Sequence, residues 1–530
     1  MRTPDGCVIP DCMGGRVLIA FVGLVGGTMQ LAGQTPAAIR NQATDLIRGG
    51  KPVEAIAILE DAVAKAPGDA RARNLLGIAL SGAGRHEAAI EQFRLVLKKD
   101  PGFVAAVKNM AMDELQVGRD SDARVHFAKA LQMAPDDPAV HYGLGQLEFR
   151  ARHFDKAVTH FEKSGGLYRG NAATLLAYAE SCVETGQGGK AAASLGSLPS
   201  DIPGPVHFRA GVLLAKAEQY AAAARQFSEA TGEGTDAYDT GFNLALAHFK
   251  SGNAAAAVAA GDELIARGLA KTELYSVMAK AYEATGKTRE AYESLRAATR
   301  LDPRDEAPYL DLIALCAEHE NYDLGLEIAD VGLRVNADAY RLRVDRGIVL
   351  ALLGRMDEAE REFARAAEAK PEEVEAPLAR AIALMELNRY PEAIDLLRRR
   401  RKLRDDSYLV DWHLAEALVK SGADAEVETI EALLRSIELN AAVPRSHVLL
   451  GKILAQRGRT DDAIREFEAA LRLDAADVSA TYLLAQAYRK KGDALRANEV
   501  FAKVSQAKAE AAEQKARRGG LLRIVRDGAR

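Results

Sequence analysis

Glycine residues return at a fixed interval along most of the chain. Gly50, Gly84 and Gly118 lie 34 residues apart. The later glycines keep about the same interval or twice it, at Gly186, Gly252, Gly286, Gly354, Gly422, Gly458 and Gly492. A chain of 530 residues is longer than one compact core usually becomes. Self-similarity at this period therefore predicts a fold that grows by stacking one small unit many times.

The residues around each glycine indicate that the unit is a helical hairpin. In one unit, apolar residues at helical spacing precede Gly84, where a tight turn needs a residue without a Cβ. A second helix follows, with Ala89 and Phe93 on its inner face, and it ends at Pro101 because proline lacks an amide proton. The small residues Gly77 and Ala89 allow the two helices to approach closely, while Phe93 fills the wedge between neighbouring units.

This pattern resembles the tetratricopeptide repeat family in both spacing and residue type. In that unit the matching residues are Leu76, Gly77, Leu80, Gly84, Ala89, Phe93 and Pro101. The same signature recurs at Leu144, Gly145, Ala157 and Phe161, at Gly347, Leu350, Gly354, Ala359, Phe363, Ala366 and Pro371, and at Leu450, Gly451, Leu454, Gly458, Ala463, Phe467 and Ala470. About 14 units run from Pro36 to roughly Ala511. The resemblance implies an all-α fold, a right-handed α-solenoid superhelix of antiparallel helical hairpins, with no attached catalytic domain.

Composition and charge fit this interpretation and exclude some partners. Hydrophobic residues make up 48% of the chain, charged residues 27% and aromatic residues only 6%, which is typical of packed helices. The formal net charge is -5 and the pI is about 6.1. Because nonspecific binding to phosphates needs an excess of Lys and Arg, we expect no nucleic acid partner.

Residues 1–33 resemble an export signal, and translation starts either at Met1 or at Met13. An arginine, an apolar run from Val17 to Val25 and then small and polar residues follow Met13 in the order of a secretory peptide. The run is too short and too glycine-rich to span a bilayer comfortably. We therefore expect a protein of bacterial type that is exported to the periplasm or outside the cell, with membrane association peripheral at most. The alternative is a membrane tether formed by an uncleaved N-terminal segment.

Two irregular stretches divide the repeats into three predicted rigid segments. Between 186 and 205 a short second helix is followed by a proline-rich break, and near 422–440 the repeat runs about two residues out of phase, with Val427 where alanine is expected. The three predicted segments are the repeats at 36–203, the repeats at 204–443 and the C-terminal repeats with a capping helix at 444–511. A charged tail at 512–530 follows them.

The sequence fragments that resemble enzyme motifs lack the structural context that those motifs need, so we predict no catalytic, cofactor or metal site. Gly286-Lys287-Thr288 imitates the end of a phosphate-binding loop, but the triplet sits in a repeat turn. His153 and His160 are seven residues apart and lack a third ligand. Cys182 and Cys316 are interpreted as small buried hydrophobic residues.

A basic run from Arg398 to Arg401, continued by Lys402 and Arg404, is the most conspicuous charge feature. We interpret it as the end of a second helix, where cations complement the helix dipole. The alternative is a docking patch for an anionic partner, and the arginines of the C-terminal tail leave the same two alternatives open.

The first helices of stacked hairpins would line a concave groove, which is the default binding surface of such a fold. Phasing the repeats predicts which first-helix side chains point into it: Asn74, Ile78, Lys108, Asn109, Met112, Tyr142, Gln146, Phe149, Arg150, Phe208, Arg209, Phe242, Asn243, Lys280, Asp311, Asp345, Trp412 and Glu416. Aromatic and arginine side chains with amides are the types that carry binding energy at protein surfaces.

The leading functional hypothesis is a scaffold or adaptor, not an enzyme, that binds a peptide or a helical element of a partner protein in this groove, within the cell envelope. An alternative is a subunit that binds polysaccharide during its export. A further alternative is a subunit that recruits partners to an enzyme complex.

Overall fold

The computed structural model describes residues 35–403, 407–422 and 426–502, which are helical with short connections and contain no strand. The all-α class with antiparallel helical hairpins is thereby confirmed for this part of the chain. Contacts divide the chain after Ala291 into two compact units. We call the described parts of these units, 35–291 and 292–502, the N-terminal unit and the C-terminal unit.

Helices of the N-terminal unit come in consecutive pairs, with one 3-10 turn at Leu167–Gly170. They are α1 Pro36–Arg48, α2 Pro52–Lys65, α3 Ala70–Gly82, α4 His86–Lys99, α5 Val104–Gln116, α6 Asp120–Met133, α7 Pro138–Arg150, α8 Phe154–Lys163, α9 Ala172–Glu184, α10 Gly188–Leu195, α11 Gly204–Lys216, α12 Tyr220–Glu229, α13 Ala237–Lys250, α14 Ala254–Ala266 and α15 Thr272–Ala284.

The division between the units falls within helix α16, Thr288–Leu301. The C-terminal unit continues with α17 Ala307–Glu318, α18 Tyr322–Val335, α19 Tyr340–Leu352, α20 Met356–Ala369, α21 Glu375–Glu386, α22 Tyr390–Lys402, α23 Tyr408–Ser421, α24 Glu426–Leu439, α25 Pro444–Gln456, α26 Thr460–Leu473 and α27 Val478–Lys491. A last described helical stretch covers 494–502.

A left-handed residue closes each hairpin between its first and second helix. Gly84 has a φ of +74°, and the amide of Arg85 donates to the carbonyl of Leu80 at 2.8 Å. The same conformation occurs at the other nine glycines of the 34-residue pattern and at four residues that are not glycine: Arg152, Glu218, Glu320 and Asn388. These four fill the gaps in the glycine pattern, so the described residues follow about 14 repeats, as predicted.

Close approach of the two helices explains the glycine inside the first helix. A Cβ added to Gly77 would lie 2.4 Å from Cε1 of Phe93, so no larger residue fits without a shift of the ring. Phe93 is fully buried, as are the phenylalanines at the same repeat position, Phe161 and Phe467. The predicted roles of Gly77 and Phe93 are confirmed.

Within each unit, hairpins stack in series. The second helix of one hairpin packs against the first helix of the next, as α4 does on α5 and α20 does on α21. First helices also contact first helices, for example α5 with α7 and α19 with α21. The side of a unit formed by successive first helices is called the first-helix face below.

The two irregular stretches have visible structural counterparts. Helix α10 has only 8 residues, and an irregular segment separates it from α11. In α24, Val427 is 71% exposed while Thr429 and Leu433 are buried, which places the inward positions two residues later than the repeat requires. This phase shift is therefore confirmed. The predicted segment boundaries at 203 and 443 differ from the contact division after Ala291, and the three-segment picture stays a prediction.

The basic run forms the last turn of α22, as the first interpretation expected. Arg398 donates to Glu428 at 2.8 Å, Arg401 pairs with the buried Asp411 at 2.9 Å, and Arg399 pairs with Asp395. Arg400 donates to the carbonyl of Pro371. Arg398, Arg400 and Arg401 thus link α22 to neighbouring elements, while Arg399 pairs within α22, which favours a structural role over a docking patch.

Cys182 and Cys316 are buried and unpaired, which agrees with their interpretation as small core residues. The N-terminal segment 1–33, the predicted capping helix, the tail and Arg404 lie outside the described residues. Among the helices that are described, none combines the length and the apolar character needed to cross a bilayer.

Candidate binding surface

Most of the predicted groove residues lie in the N-terminal unit, at three levels of exposure. Asn74 and Asn243 are buried, so we assign them no direct contact with a partner. Half-buried are Ile78, Lys108, Asn109, Met112, Tyr142, Gln146, Phe149, Phe208 and Phe242. Arg150, Arg209 and Lys280 are exposed.

Three of the four cations predicted to bind a partner are already engaged within this unit. Lys108 pairs with Asp137 at 2.6 Å, and Arg209 pairs with Glu180 at 2.8 Å. Arg150 donates to the carbonyl of Leu115 at 2.8 Å. Each of these contacts joins two consecutive repeats, so part of the predicted ligand-binding chemistry stabilises the stack instead.

The aromatic residues of this set pack partly on one another. Phe242 stacks on Tyr238 with ring centroids 5.7 Å apart, and Phe208 lies 5.7 Å from Phe227. Such contacts stabilise the repeats. A binding role for this stretch of the N-terminal unit stays a prediction.

Trp412, the one tryptophan of the sequence, lies in a different setting. It is half-buried on α23, at the wall of a cavity of about 780 Å³ in the C-terminal unit. Side chains of α21, α23 and α25 line this cavity, including Ile382, Met385 and Arg445. A second cavity, of about 270 Å³, shares Trp412 and adds Val419, Val448 and Lys452. Both volumes lie on the first-helix face.

Polar contacts beside Trp412 fix the shape of this surface. Glu416 accepts from Lys420 at 3.1 Å and lies 3.1 Å from Nδ1 of His413. The hydrogen bond to Glu416 raises the pKa of the Lys420 ammonium, whereas burial lowers the pKa of His413. The Nε1 of Trp412 is buried, and within the described residues it has no hydrogen-bond partner.

Exposed apolar side chains extend the surface along three consecutive first helices. Ile348 of α19 is 44% exposed, Ile382 of α21 is 38% exposed and Val419 of α23 is 45% exposed. Ile348 and Ile382 each precede a left-handed turn residue by six positions, so they occupy the same place in successive repeats. Apolar residues in such a row mark interaction sites more often than isolated ones do. We call the surface formed by the first helices α19, α21, α23 and α25 the Trp412 face.

Sequence reasoning identified Trp412 and Glu416 but missed most of their neighbours. The missed residues are Ile348, Ile382, Met385, Val419, Arg445, Val448 and Lys452. Counting back from the turn residue of each repeat would have found them, because the turn sets the register of the first helix. One of those turns, at Asn388, does not contain glycine, so the register that places Ile382 and Met385 was not visible from the glycines alone.

The arrangement is suited to binding. Across the described ranges no group of three or more His, Cys, Asp or Glu residues is placed to hold a metal ion. The cavities instead combine an aromatic ring, aliphatic side chains and a few charges, which is the composition of a surface that holds a peptide or a protein segment.

Helical hairpins repeated in series with a continuous first-helix face define the class of helical-repeat interaction proteins. A tetratricopeptide-repeat model matches residues 40–102, 108–172, 208–269 and 317–374, a second one matches 272–305, and a TPR-repeat model matches 451–492. Together these stretches cover more than half of the sequence. The chain belongs to the tetratricopeptide repeat family, whose members are generally non-catalytic scaffolds, and it is a tetratricopeptide-repeat scaffold for protein–protein interaction.

Individual relatives are distant. Anaphase-promoting complex subunit 3 of Schizosaccharomyces pombe is 27% identical over 206 residues, which are 38% of this chain and 30% of that protein. The alignment thus spans less than one third of the relative's length.

Among solved structures, yeast Tom70 has 18% identity and a TM-score of 0.36, with 78% of this chain and 96% of that chain covered. MamA has 26% identity and a TM-score of 0.30, with 32% and 96% covered. The anaphase-promoting complex hetero-tetramer Cut9-Hcn1 has 12% identity and a TM-score of 0.35, with 86% and 96% covered.

Proposed function

We propose that this scaffold binds an extended or helical segment of a partner protein on the Trp412 face. The observation that carries the proposal is the cavity of about 780 Å³ beside Trp412. Large aromatic side chains in partly enclosed pockets are frequent hot spots of protein interfaces. A solenoid presents such a pocket within an extended surface that accepts a segment several residues long.

The apolar row supports the same assignment. Ile348, Ile382 and Val419 would lose their contact with water when a segment covers them. Ile348 and Ile382 occupy the same place in successive repeats, and Val419 lies on the next first helix, so an apolar segment of a partner meets one apolar contact on each of three consecutive first helices.

The test compares two variants, one for each candidate surface. Trp412→Ala removes the aromatic wall of the cavity, and the triple change Tyr142→Ala, Phe149→Ala and Arg150→Ala removes the predicted groove of the N-terminal unit. Each tagged variant is crosslinked in its own cells, recovered, and its partners are identified by mass. We expect a defined protein, recovered in stoichiometric amount with the unaltered chain, to be lost with Trp412→Ala.

Val53→Ala is the control, since Val53 is exposed on second helix α2 and lies away from both surfaces. Loss of the partner with the triple variant alone would move the site to the N-terminal unit. Recovery of a glycan without any protein would contradict the proposal and favour the polysaccharide alternative. If the recovered partner is an enzyme, the scaffold recruits partners to an enzyme complex.

We also propose that the protein acts in the cell envelope as an exported, periplasmic or extracellular protein. The support is the order of charge, apolar run and small residues that follows Met13. Fractionation of cells, with N-terminal sequencing of the recovered protein, tests this. A mature chain that begins near Gln34 in the envelope fraction is expected. An intact N-terminus in the membrane fraction would indicate the tethered alternative, and recovery from the cytoplasm would contradict export.

A further inference from the structure

Most unpaired charges on the Trp412 face, and on the first helices α17 and α27 that flank it, are sorted by sign along the direction of stacking. Acidic residues without a side-chain ion pair or hydrogen bond, as far as the described residues extend, occupy the first helices α17 to α21. They include Asp311, Asp345, Glu375 and Glu386. Basic residues with the same lack of partners occupy α25 and α27, and they are Arg445, Lys452 and Arg489. The apolar wall of Ile382, Met385, Trp412 and Val419 begins on α21, where the acidic group ends, and continues on α23, before the basic group begins on α25.

Other charges on this face reduce the difference in charge between the acidic and the basic part but do not reverse it. Arg341 lies in the acidic part, near Asp345. In the centre, Lys420 is paired with Glu416. Asp474 and Asp477 line the cavity close to Arg445, but each is also used locally: Asp474 accepts from the amide of Ala476 at 3.0 Å and Asp477 accepts from the amide of Ala480 at 2.9 Å.

We infer that the segment bound on the Trp412 face is bipolar, with a cationic end over the carboxylates of α19 and α21, an apolar centre at Trp412 and an acidic end over the cations of α25. This inference rests on the proposed function. Complementary charge at both ends fixes the direction in which a segment lies, because the opposite orientation places like charges together. A repeat surface with uniform charge has no such means of selecting one direction.

The length of the segment follows from the spacing of the helices. First helices of adjacent repeats lie roughly 8–10 Å apart, so the path from α19 to α25 is on the order of 30 Å. An extended peptide advances about 3.3 Å per residue, and about nine residues therefore cover it. A bipolar segment of this length reaches Asp345 with one end and Lys452 with the other.

A random library of twelve-residue peptides, displayed and selected on the full chain, tests the inference. Peptides that also bind the Trp412→Ala variant are removed by counter-selection. We expect the remaining sequences to carry Lys or Arg at one end, Asp or Glu at the other and apolar residues between them. Binding of synthesised peptides is then measured from the fluorescence of Trp412, which reports on this surface alone because the sequence has no other tryptophan.

Charge reversal gives a second, independent readout. The double change Arg445→Glu and Lys452→Glu makes the basic part acidic. Affinity for a selected bipolar peptide should fall about tenfold or more, and a derivative whose acidic end is replaced by lysines should regain it. Lys280→Glu is the matched control, since Lys280 is exposed and precedes its turn glycine by six residues, as Lys452 does, but lies in the N-terminal unit.

The outcomes separate the inference from the proposed function. Peptides that depend on Trp412 but show no charge asymmetry, or that bind the reversed variant equally well, would overturn the bipolar inference and leave the binding surface in place. A library that yields no peptide dependent on Trp412 would remove the surface itself and the inference with it. Circular dichroism confirms that each variant keeps its helices.

Discussion

At the scale of single residues, the left-handed turn between the two helices of a hairpin organises the molecule. The sequence predicted this turn wherever glycine occupies it, because glycine adopts positive φ without steric cost. The turn could not be predicted at Arg152, Glu218 and Glu320, because there the surrounding helices impose the left-handed conformation on residues that disfavour it. Asn388 is a residue that tolerates this region. The local rule was thus overridden by tertiary packing at a few repeats only.

This difference predicts opposite effects for exchanges at equivalent turns. Glu218→Gly should stabilise the protein by up to about 1 kcal/mol, because relief of the left-handed strain exceeds the entropy that glycine adds to the unfolded chain. Gly84→Ala should destabilise it by about 1 kcal/mol, because alanine is strained in the left-handed conformation. No clash with a neighbour adds to this cost, since nothing lies within 4 Å of the added Cβ. Urea unfolding followed by circular dichroism measures both. Equal and like-signed changes would show that the turn conformation is not under strain.

Asp345 gives a prediction for the dependence of stability on pH. Burial raises its pKa from 3.8 to about 6, with Arg341 opposing and Glu375 adding to the shift. Because the folded state favours the neutral acid, this group's stabilising contribution is full below about pH 4 and is lost as the pH rises through 6.

Asp345→Asn should therefore stabilise the C-terminal unit at pH 7, on the order of 1–2 kcal/mol after allowance for partial solvation, and have little effect at pH 4. Urea unfolding followed by Trp412 fluorescence at both pH values measures this. The same gain at pH 4 and pH 7 would assign the effect to packing instead of charge.

At the scale of helices, the phenylalanine of the second helix joins the two members of a hairpin. Phe363 of α20 is buried and lies against the backbone of Gly347 in α19, where an added Cβ would come within 2.5 Å of its Cε1. Both positions were predicted from their recurrence in phase. In α24 the phase was the only cue, since Thr429 and Leu433 replace the usual alanine and phenylalanine and carry no signature of their own.

Phe363→Ala should cost roughly 3 to 5 kcal/mol by emptying the space between α19 and α20. Since each hairpin leans mainly on its neighbours, the loss should open α18 to α21 before distant repeats. Limited proteolysis with the cleavage sites identified by mass should find new cuts in that region. Val427→Ala, in the exposed part of α24, is the control and should leave the pattern unchanged. Cuts spread evenly over the whole chain would contradict local unfolding.

At the scale of the whole molecule, the fold was predictable and the binding surface only partly so. Because the same sequence pattern occurs in many repeats, the fold can be predicted even though a few repeats depart from the pattern. A binding surface depends on side chains that differ from repeat to repeat, such as Ile382, Trp412 and Lys452, and these carry no periodic signal. The sequence also did not reveal which cations of the N-terminal unit are paired. Lys108 and Arg209 pair with Asp137 and Glu180, which come from adjacent repeats.

Nearest-neighbour stability also predicts that unfolding is not a single transition. Circular dichroism follows the helices of the whole chain, whereas Trp412 follows the C-terminal unit only. Phe93→Ala, in α4 of the N-terminal unit, should therefore shift part of the circular dichroism transition to lower urea concentration. The unfolding midpoint measured from Trp412 fluorescence should stay within error of that of the unaltered protein. Phe363→Ala should do the reverse and lower the Trp412 midpoint. If Phe93→Ala shifted both signals equally, the repeats would unfold as one cooperative body, and the local picture of stability used for both variants would have to be abandoned.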